Sequence, residues 1–170
     1  YRGKSGQEQE RHIEDKKLAK VVAELDELPG YEIFKYLDED GRRVQVRSQD
    51  LNDYIREVMG EEFSAKDFRT WAGTLIAAVA LDELGLAEDP KAADKNVREA
   101  VERVAKKLGN TPTVARSSYI DPRVIAHYMD GRTTSYFGKQ IERELKKAKD
   151  LSLEEVGVLY LLKTRLKEPK

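Results

Sequence analysis

Four short clusters in the sequence carry side chains suited to phosphate chemistry. The first is Arg2-Gly3-Lys4-Ser5-Gly6. Glycines on both sides of Lys4 let the backbone turn tightly and push the ammonium outward. The spacing is not that of a Walker loop, G-x-x-x-x-G-K-[ST], and the same residues also fit an ordinary solvated turn. The second is Lys66-Asp67-Phe68-Arg69-Thr70-Trp71-Ala72-Gly73-Thr74, where a cation opens an otherwise apolar helix. A guanidinium held at the edge of a core suits bidentate phosphate recognition; a surface salt bridge of Arg69 with Asp67 or Glu62 is the plainer alternative. The third is Leu108-Gly109-Asn110-Thr111-Pro112. There one helix ends on glycine and another begins, so backbone N–H groups and the Asn110 amide can point at an anion, or can simply cap a turn. The fourth is Tyr119, nine residues after Asn110, among Arg116, Ser117, Ser118 and Arg123. A free tyrosine titrates near ~10 and is a poor nucleophile at neutral pH. Neighbouring cations would stabilise a phenolate, although most tyrosines only pack or cap a core edge.

Placing these clusters requires a scaffold, and the sequence predicts a mainly α one with a small β component. Tyr1 to Ile13 reads as part of a hairpin turning at Lys4-Ser5-Gly6, so the chain is expected to start inside a strand. Leu18, Val21, Val22, Leu25 and Leu28 fall at helical spacing, and Pro29-Gly30 stops that helix. Tyr31 to Val46 reads as two short strands around Asp38-Glu39-Asp40-Gly41. Ser48 is expected to cap a helix that ends at Gly60. Ser64 opens the most apolar helix, with Phe68, Trp71, Leu75, Ile76 and Leu81 assigned to the core. Asp89-Pro90 opens the next, which closes on Gly109. Short helical segments follow, one that Asn110-Thr111-Pro112 starts and that runs through Ser118, and one from Asp121-Pro122 to Asp130-Gly131. A charged helix is expected over 136–149, and a last one with Leu153, Val156, Leu159, Leu162 and Leu166 inward. The domain reading is 1–131 for a catalytic domain and 132–170 for a helical extension packed on it.

Composition bounds the function. A chain of 170 residues fits one domain, or one with an appendage. It contains no cysteine, which excludes disulfides, thiol catalysis and cysteine zinc sites. The two histidines, His12 and His127, leave little for a metal centre and receive no role. No run of about 20 apolar residues is present to span a membrane. The net charge of -1 speaks against a nucleic-acid partner when read globally. Read locally it does not: segments 1–12, 64–74 and 106–123 together carry +5, which leaves -6 on the rest. DNA answers to the local field within about 8–10 Å.

Taken together, the Gly-Lys turn, Lys66-Asp67-Phe68-Arg69-Thr70, Leu108-Gly109-Asn110-Thr111-Pro112 and Ser118-Tyr119-Ile120 resemble the type IB DNA topoisomerases, and most closely their bacterial, poxvirus-like branch. Tyr119-Ile120-Asp121-Pro122-Arg123-Val124-Ile125 and Asp130-Gly131 fit the same branch. The resemblance implies the helical catalytic fold shared by type IB topoisomerases and tyrosine recombinases. It implies that Tyr119 attacks a phosphorus of duplex DNA to give a 3′-phosphotyrosyl bond and a free 5′-hydroxyl. Lys4 would be the general acid for the leaving 5′-oxygen, Arg69 would hold non-bridging oxygens, and Asn110 would donate where poxvirus and eukaryotic members carry histidine. Arg2, Lys66, Lys106, Lys107, Thr111, Arg116 and Arg123 are the expected DNA contacts, with Lys106-Lys107 foremost among the lysine pairs. No cofactor, ATP or metal is expected, because one phosphodiester is exchanged for another. The partners expected are double-stranded DNA and an N-terminal lobe of the same enzyme. That lobe and a further catalytic arginine would lie before Tyr1, leaving this chain weak or inactive alone. A monomer in a bacterial cytoplasm, associated with the nucleoid, completes the picture.

Two other readings predict different products. A tyrosine recombinase would exchange strands between two defined sites, but such proteins usually carry His-x-x-Arg, and Lys66 stands at that histidine position here. A non-catalytic helical DNA-binding or protein-interaction module would use Tyr119 only for packing.

Overall fold

The computed structural model describes residues 12 and 14–166. The expected hairpin at the N-terminus, with Arg2 and Lys4, lies outside the described residues. The rest falls into two compact units divided between Ala65 and Lys66.

In the first unit, α1 (Lys16–Glu27) starts at Asp15, whose Oδ1 accepts from the backbone N–H groups of Lys17 and Leu18, both at 2.8 Å. The expected hairpin forms from β1 (Lys35–Leu37) and β2 (Arg43–Gln45), antiparallel with Tyr36 opposite Val44. Its turn is held by Asp38 Oδ1, which accepts from Asp40 N at 3.0 Å and Arg42 N at 2.8 Å. α2 (Ser48–Met59) follows. Ser48 is its first residue rather than its cap: the cap position is Arg47, whose N–H donates to Asp50 Oδ2 at 2.6 Å. An acidic side chain in the first turn thus reaches back to the cap residue's N–H, and the serine is not the cap.

The second unit is all helical: α3 (Ala65–Leu84), α4 (Pro90–Leu108), α5 (Pro112–Ser118), α6 (Pro122–Met129), a 3-10 turn (Thr134–Phe137), α7 (Gly138–Leu145) and α8 (Leu153–Lys163). Three of the starts share a visible cause. Asp89, Thr111 and Asp121 accept from N–H groups in the first turns of α4, α5 and α6, and each is followed by proline at the first helical position. One core gathers Ala77, Ala78, Leu81, Val97, Val101, Val104, Ala115, Val124, Ile141, Val158 and Leu161 from nearly all of these helices.

Three expectations need correction. The buried face of α3 is Gly73, Thr74, Ala77, Ala78, Ala80 and Leu81. Phe68, expected inside, is 53% exposed in the first turn, before that buried stretch begins. Trp71 and Leu75 pack on the core's margin. The single helix expected over 136–149 is a 3-10 turn followed by the shorter α7. Asp82 of α3 pins that turn, accepting from Ser135 N at 2.9 Å and Ser135 Oγ at 2.6 Å. On α8 the buried residues are Val156, Gly157, Val158 and Leu161. Leu153 and Leu166 are 53% and 41% exposed, because one is the helix's first residue and the other lies beyond its end, where helical periodicity no longer applies.

Candidate active site

The site forms where the C-terminus of α4, the α5 segment and the first half of α3 meet. Gly109 ends α4 in the left-handed conformation, φ 69 and ψ 40, as glycine alone does without strain. Asn110 N donates back to Ala105 O at 2.9 Å, which fixes the Asn110 side chain just past the helix end. The carbonyl of Leu108 is left pointing outward at the negative end of the helix dipole.

Arg69 fills that position. Its Nη2 donates to Leu108 O at 3.0 Å and to Asn110 Oδ1 at 2.5 Å. A guanidinium has no acceptor, so Asn110 must present its carbonyl oxygen to Arg69 and turn its amide nitrogen, a two-proton donor, elsewhere. The Arg69 Cζ lies 4.8 Å from the centroid of the Tyr119 ring, in cation–π contact. Arg69, Asn110 and Tyr119, widely separated in sequence, are therefore one cluster.

Tyr119 ends α5 with φ -131 and ψ 0, and its N–H donates to Ala115 O at 3.1 Å. Ala115 and Ile120 on either side are buried, so the tyrosine is held by its neighbours while its own side chain is half-buried. Two residues missed by the sequence reading help to seat it. The backbone carbonyl of Tyr119 lies so close to Gly73 that a Cβ there would sit 2.3 Å from the oxygen. Thr74 Oγ1 accepts from Asp121 N at 3.0 Å. Gly73 stands one helical turn after Arg69, and that spacing was the one available signal.

The expected DNA contacts are placed unevenly. Lys66 is exposed in the first turn of α3, Lys106 and Lys107 are exposed in the last turn of α4, and Arg116 is exposed in the last turn of α5. Thr111 is the cap of α5, its Oγ1 accepting from Val114 N at 3.3 Å. Arg123 is committed within the fold: it donates to both carboxylate oxygens of Asp121 and, through Nη1, to Leu162 O at 2.9 Å. Its hydrogen bonds hold the Asp121 carboxyl below the usual range, against the opposing effect of partial burial. Among the described residues no group of three or more His, Cys, Asp or Glu side chains could hold a metal ion, and no helix is long and apolar enough to cross a membrane.

The second unit is thus a helical domain that seats a tyrosine against an arginine and an amide. Residues 1–149 match the family described as the catalytic core of eukaryotic DNA topoisomerase I, and the chain belongs to this type IB topoisomerase family. Among its relatives, the DNA topoisomerase 1B of Acanthamoeba polyphaga mimivirus is 35% identical over 127 residues, which cover 71% of this chain and 38% of the relative. The chain thus spans well under half the length of that relative.

Proposed function

We propose that the chain is the catalytic part of a type IB topoisomerase that relaxes supercoiled duplex DNA. The Tyr119 phenolic oxygen bonds to a backbone phosphorus as the bond from phosphorus to the 5′-oxygen breaks. The phenolic proton passes to solvent water, and the 5′-oxygen takes a proton from Lys4. The strand rotates while its 3′ end stays on the enzyme. The freed 5′-hydroxyl then attacks the phosphotyrosine and restores both the phosphodiester and the tyrosine. Bond types are conserved throughout, so neither ATP nor a redox partner enters the balance.

Arg69 and the Asn110 amide hold the non-bridging oxygens as charge builds on them. The observation that carries this reading is the Arg69 guanidinium, hydrogen-bonded to Asn110 and stacked over Tyr119. Lys66, Lys106, Lys107, Thr111 and Arg116, together with Arg2, are the proposed DNA contacts. Arg123 acts instead by bracing α6 against α8, as its three hydrogen bonds to Asp121 and Leu162 suggest. The catalytic residues lie within 1–131, and 132–170 braces them. Asparagine at 110, which by the resemblance bacterial members carry in place of the histidine, favours the bacterial branch, and a monomeric cytoplasmic enzyme on the nucleoid fits it. A lobe outside this chain, as in the family, completes the clamp and the catalytic cations.

The deciding experiment adds nicked duplex DNA, from which the cleaved strand end escapes, to the protein joined to that lobe. A covalent adduct that disappears in Tyr119→Phe is expected. Absence of an adduct with Tyr119 intact would overturn the reading in favour of a non-catalytic module. Exchange of strands between two sites would favour a recombinase.

A further inference from the structure

We infer that Gly73 and Thr74 are positioning residues for the nucleophile: together they seat the 119–121 backbone on α3, the helix that carries Arg69. The inference rests on Tyr119 being the nucleophile. Three contacts run in order along the two segments. Arg69 meets the Tyr119 ring at 4.8 Å, Gly73 meets the Tyr119 carbonyl, and Thr74 meets the Asp121 N–H at 3.0 Å. α5 is only seven residues long, and on its own a helix of two turns fixes the end of the chain poorly. The seat on α3 supplies the missing constraint. Because Arg69 and the seat share one rigid helix, phosphate ligand and nucleophile keep a fixed separation.

Each half of the seat has its own chemistry. A methyl group at 73 would lie 2.3 Å from Tyr119 O and 3.1 Å from its carbonyl carbon and its Cβ. The tyrosine backbone would have to move by about 1 Å to restore van der Waals contact. Thr74 is buried, and its hydroxyl oxygen is the acceptor the structure gives the Asp121 N–H. Valine at 74 would keep the volume and remove the acceptor, whereas serine would keep the acceptor.

The test is single-turnover cleavage of nicked duplex DNA at saturating concentration, in the full-length protein. DNA affinity is measured separately in the Tyr119→Phe background, and exchange of the Asp121 amide by hydrogen–deuterium methods. Thr74→Val is expected to slow cleavage by about 10–100-fold, since a misplacement of about 1 Å can cost ~10²-fold. DNA affinity should stay within about threefold, which is under 1 kcal/mol, and the Asp121 amide should exchange faster. Thr74→Ser should restore rate and protection together, a rescue that a loss of bulk packing would not show. Gly73→Ala should slow cleavage by about 100-fold or more. Thr74→Val cleaving at the wild-type rate, or a loss that tracks only the folded fraction and is not rescued by serine, overturns the inference and leaves Tyr119 as nucleophile. A wild-type protein that forms no adduct overturns both.

Discussion

At the scale of single residues, the site depends on what Arg69 and Asn110 each hold. Arg69→Ala removes the guanidinium proposed to meet the phosphate and should slow cleavage by roughly 10³-fold or more, as loss of a transition-state arginine does elsewhere. Single-turnover kinetics check this. A change of less than tenfold, about 1.4 kcal/mol, removes Arg69 from the chemistry. Asn110→Asp is more discriminating. A carboxylate can still accept from Arg69, so the melting temperature should hold or rise. The amide donor is lost and a negative charge faces the phosphate, so cleavage should fall by about 100-fold. A variant that keeps wild-type rates would show that Asn110 serves only to hold Arg69. Arg69, Asn110 and Tyr119 stand out in the sequence by residue type and local motif, and the structure brings their side chains together. Gly73 and Thr74 do not stand out, because a close backbone approach and a hydrogen bond to a main-chain N–H leave no mark in side-chain type. Arg123 was read as a DNA contact from its charge alone, and its partners Asp121 and Leu162 O could be found only in three dimensions.

At the scale of elements, the ends were easier to read than the faces. Proline after Asp89, Thr111 and Asp121, and glycine at 60, 85 and 109, mark boundaries by local stereochemistry. Which side of α3 or α8 is buried depends on neighbours that are distant in sequence. Leucines at helical spacing therefore suggested Leu153 and Leu166, while valines, alanines and a glycine fill the core. The turn at Gly109 carries a prediction. Its φ of 69 costs any other L-residue about 1–2 kcal/mol. Gly109→Ala should lower the melting temperature by several degrees, at roughly 4–8 °C per kcal/mol for a unit of this size. It should also slow cleavage, because Asn110 leaves the turn. Calorimetry and cleavage rates on the same preparation check both, and an unchanged melting point would show that the turn relaxes without strain.

At the scale of the whole molecule, charge and burial govern behaviour in solution. The +5 of the three motif segments sits on a chain of net charge -1. Binding of this chain alone to DNA should be weak and fall steeply with salt, in proportion to the phosphates neutralised. A titration at 50 and 200 mM salt measures that slope, and a flat response would remove the basic segments from the interface. His127 gives a second prediction. It is fully buried, its Nε2 faces Thr164 O at 3.1 Å, and its Nδ1 has no partner. Burial lowers its pKa, Arg132 adds to that effect, and the Thr164 carbonyl and Asp130 oppose it. The unfolded chain therefore binds the proton more readily than the folded one. Stability is full above the unfolded value of about 6.5 and is lost as pH falls below it toward the lower folded value. Melting temperatures between pH 7.5 and 5.5 should show the loss in the wild type. His127→Gln, which keeps an N–H donor for Thr164, should abolish it.

The same corner of the second unit decides how the end of the chain behaves. Arg132 is buried, ion-paired with Asp130, and donates to Arg165 O at 3.4 Å, directly beside the histidine's bond to Thr164. Peeling α8 away would bare a guanidinium, an imidazole and the fully buried Val158 at once. The helix over 153–163 is thus no detachable tail: the core of the second unit closes through its Val156, Val158 and Leu161.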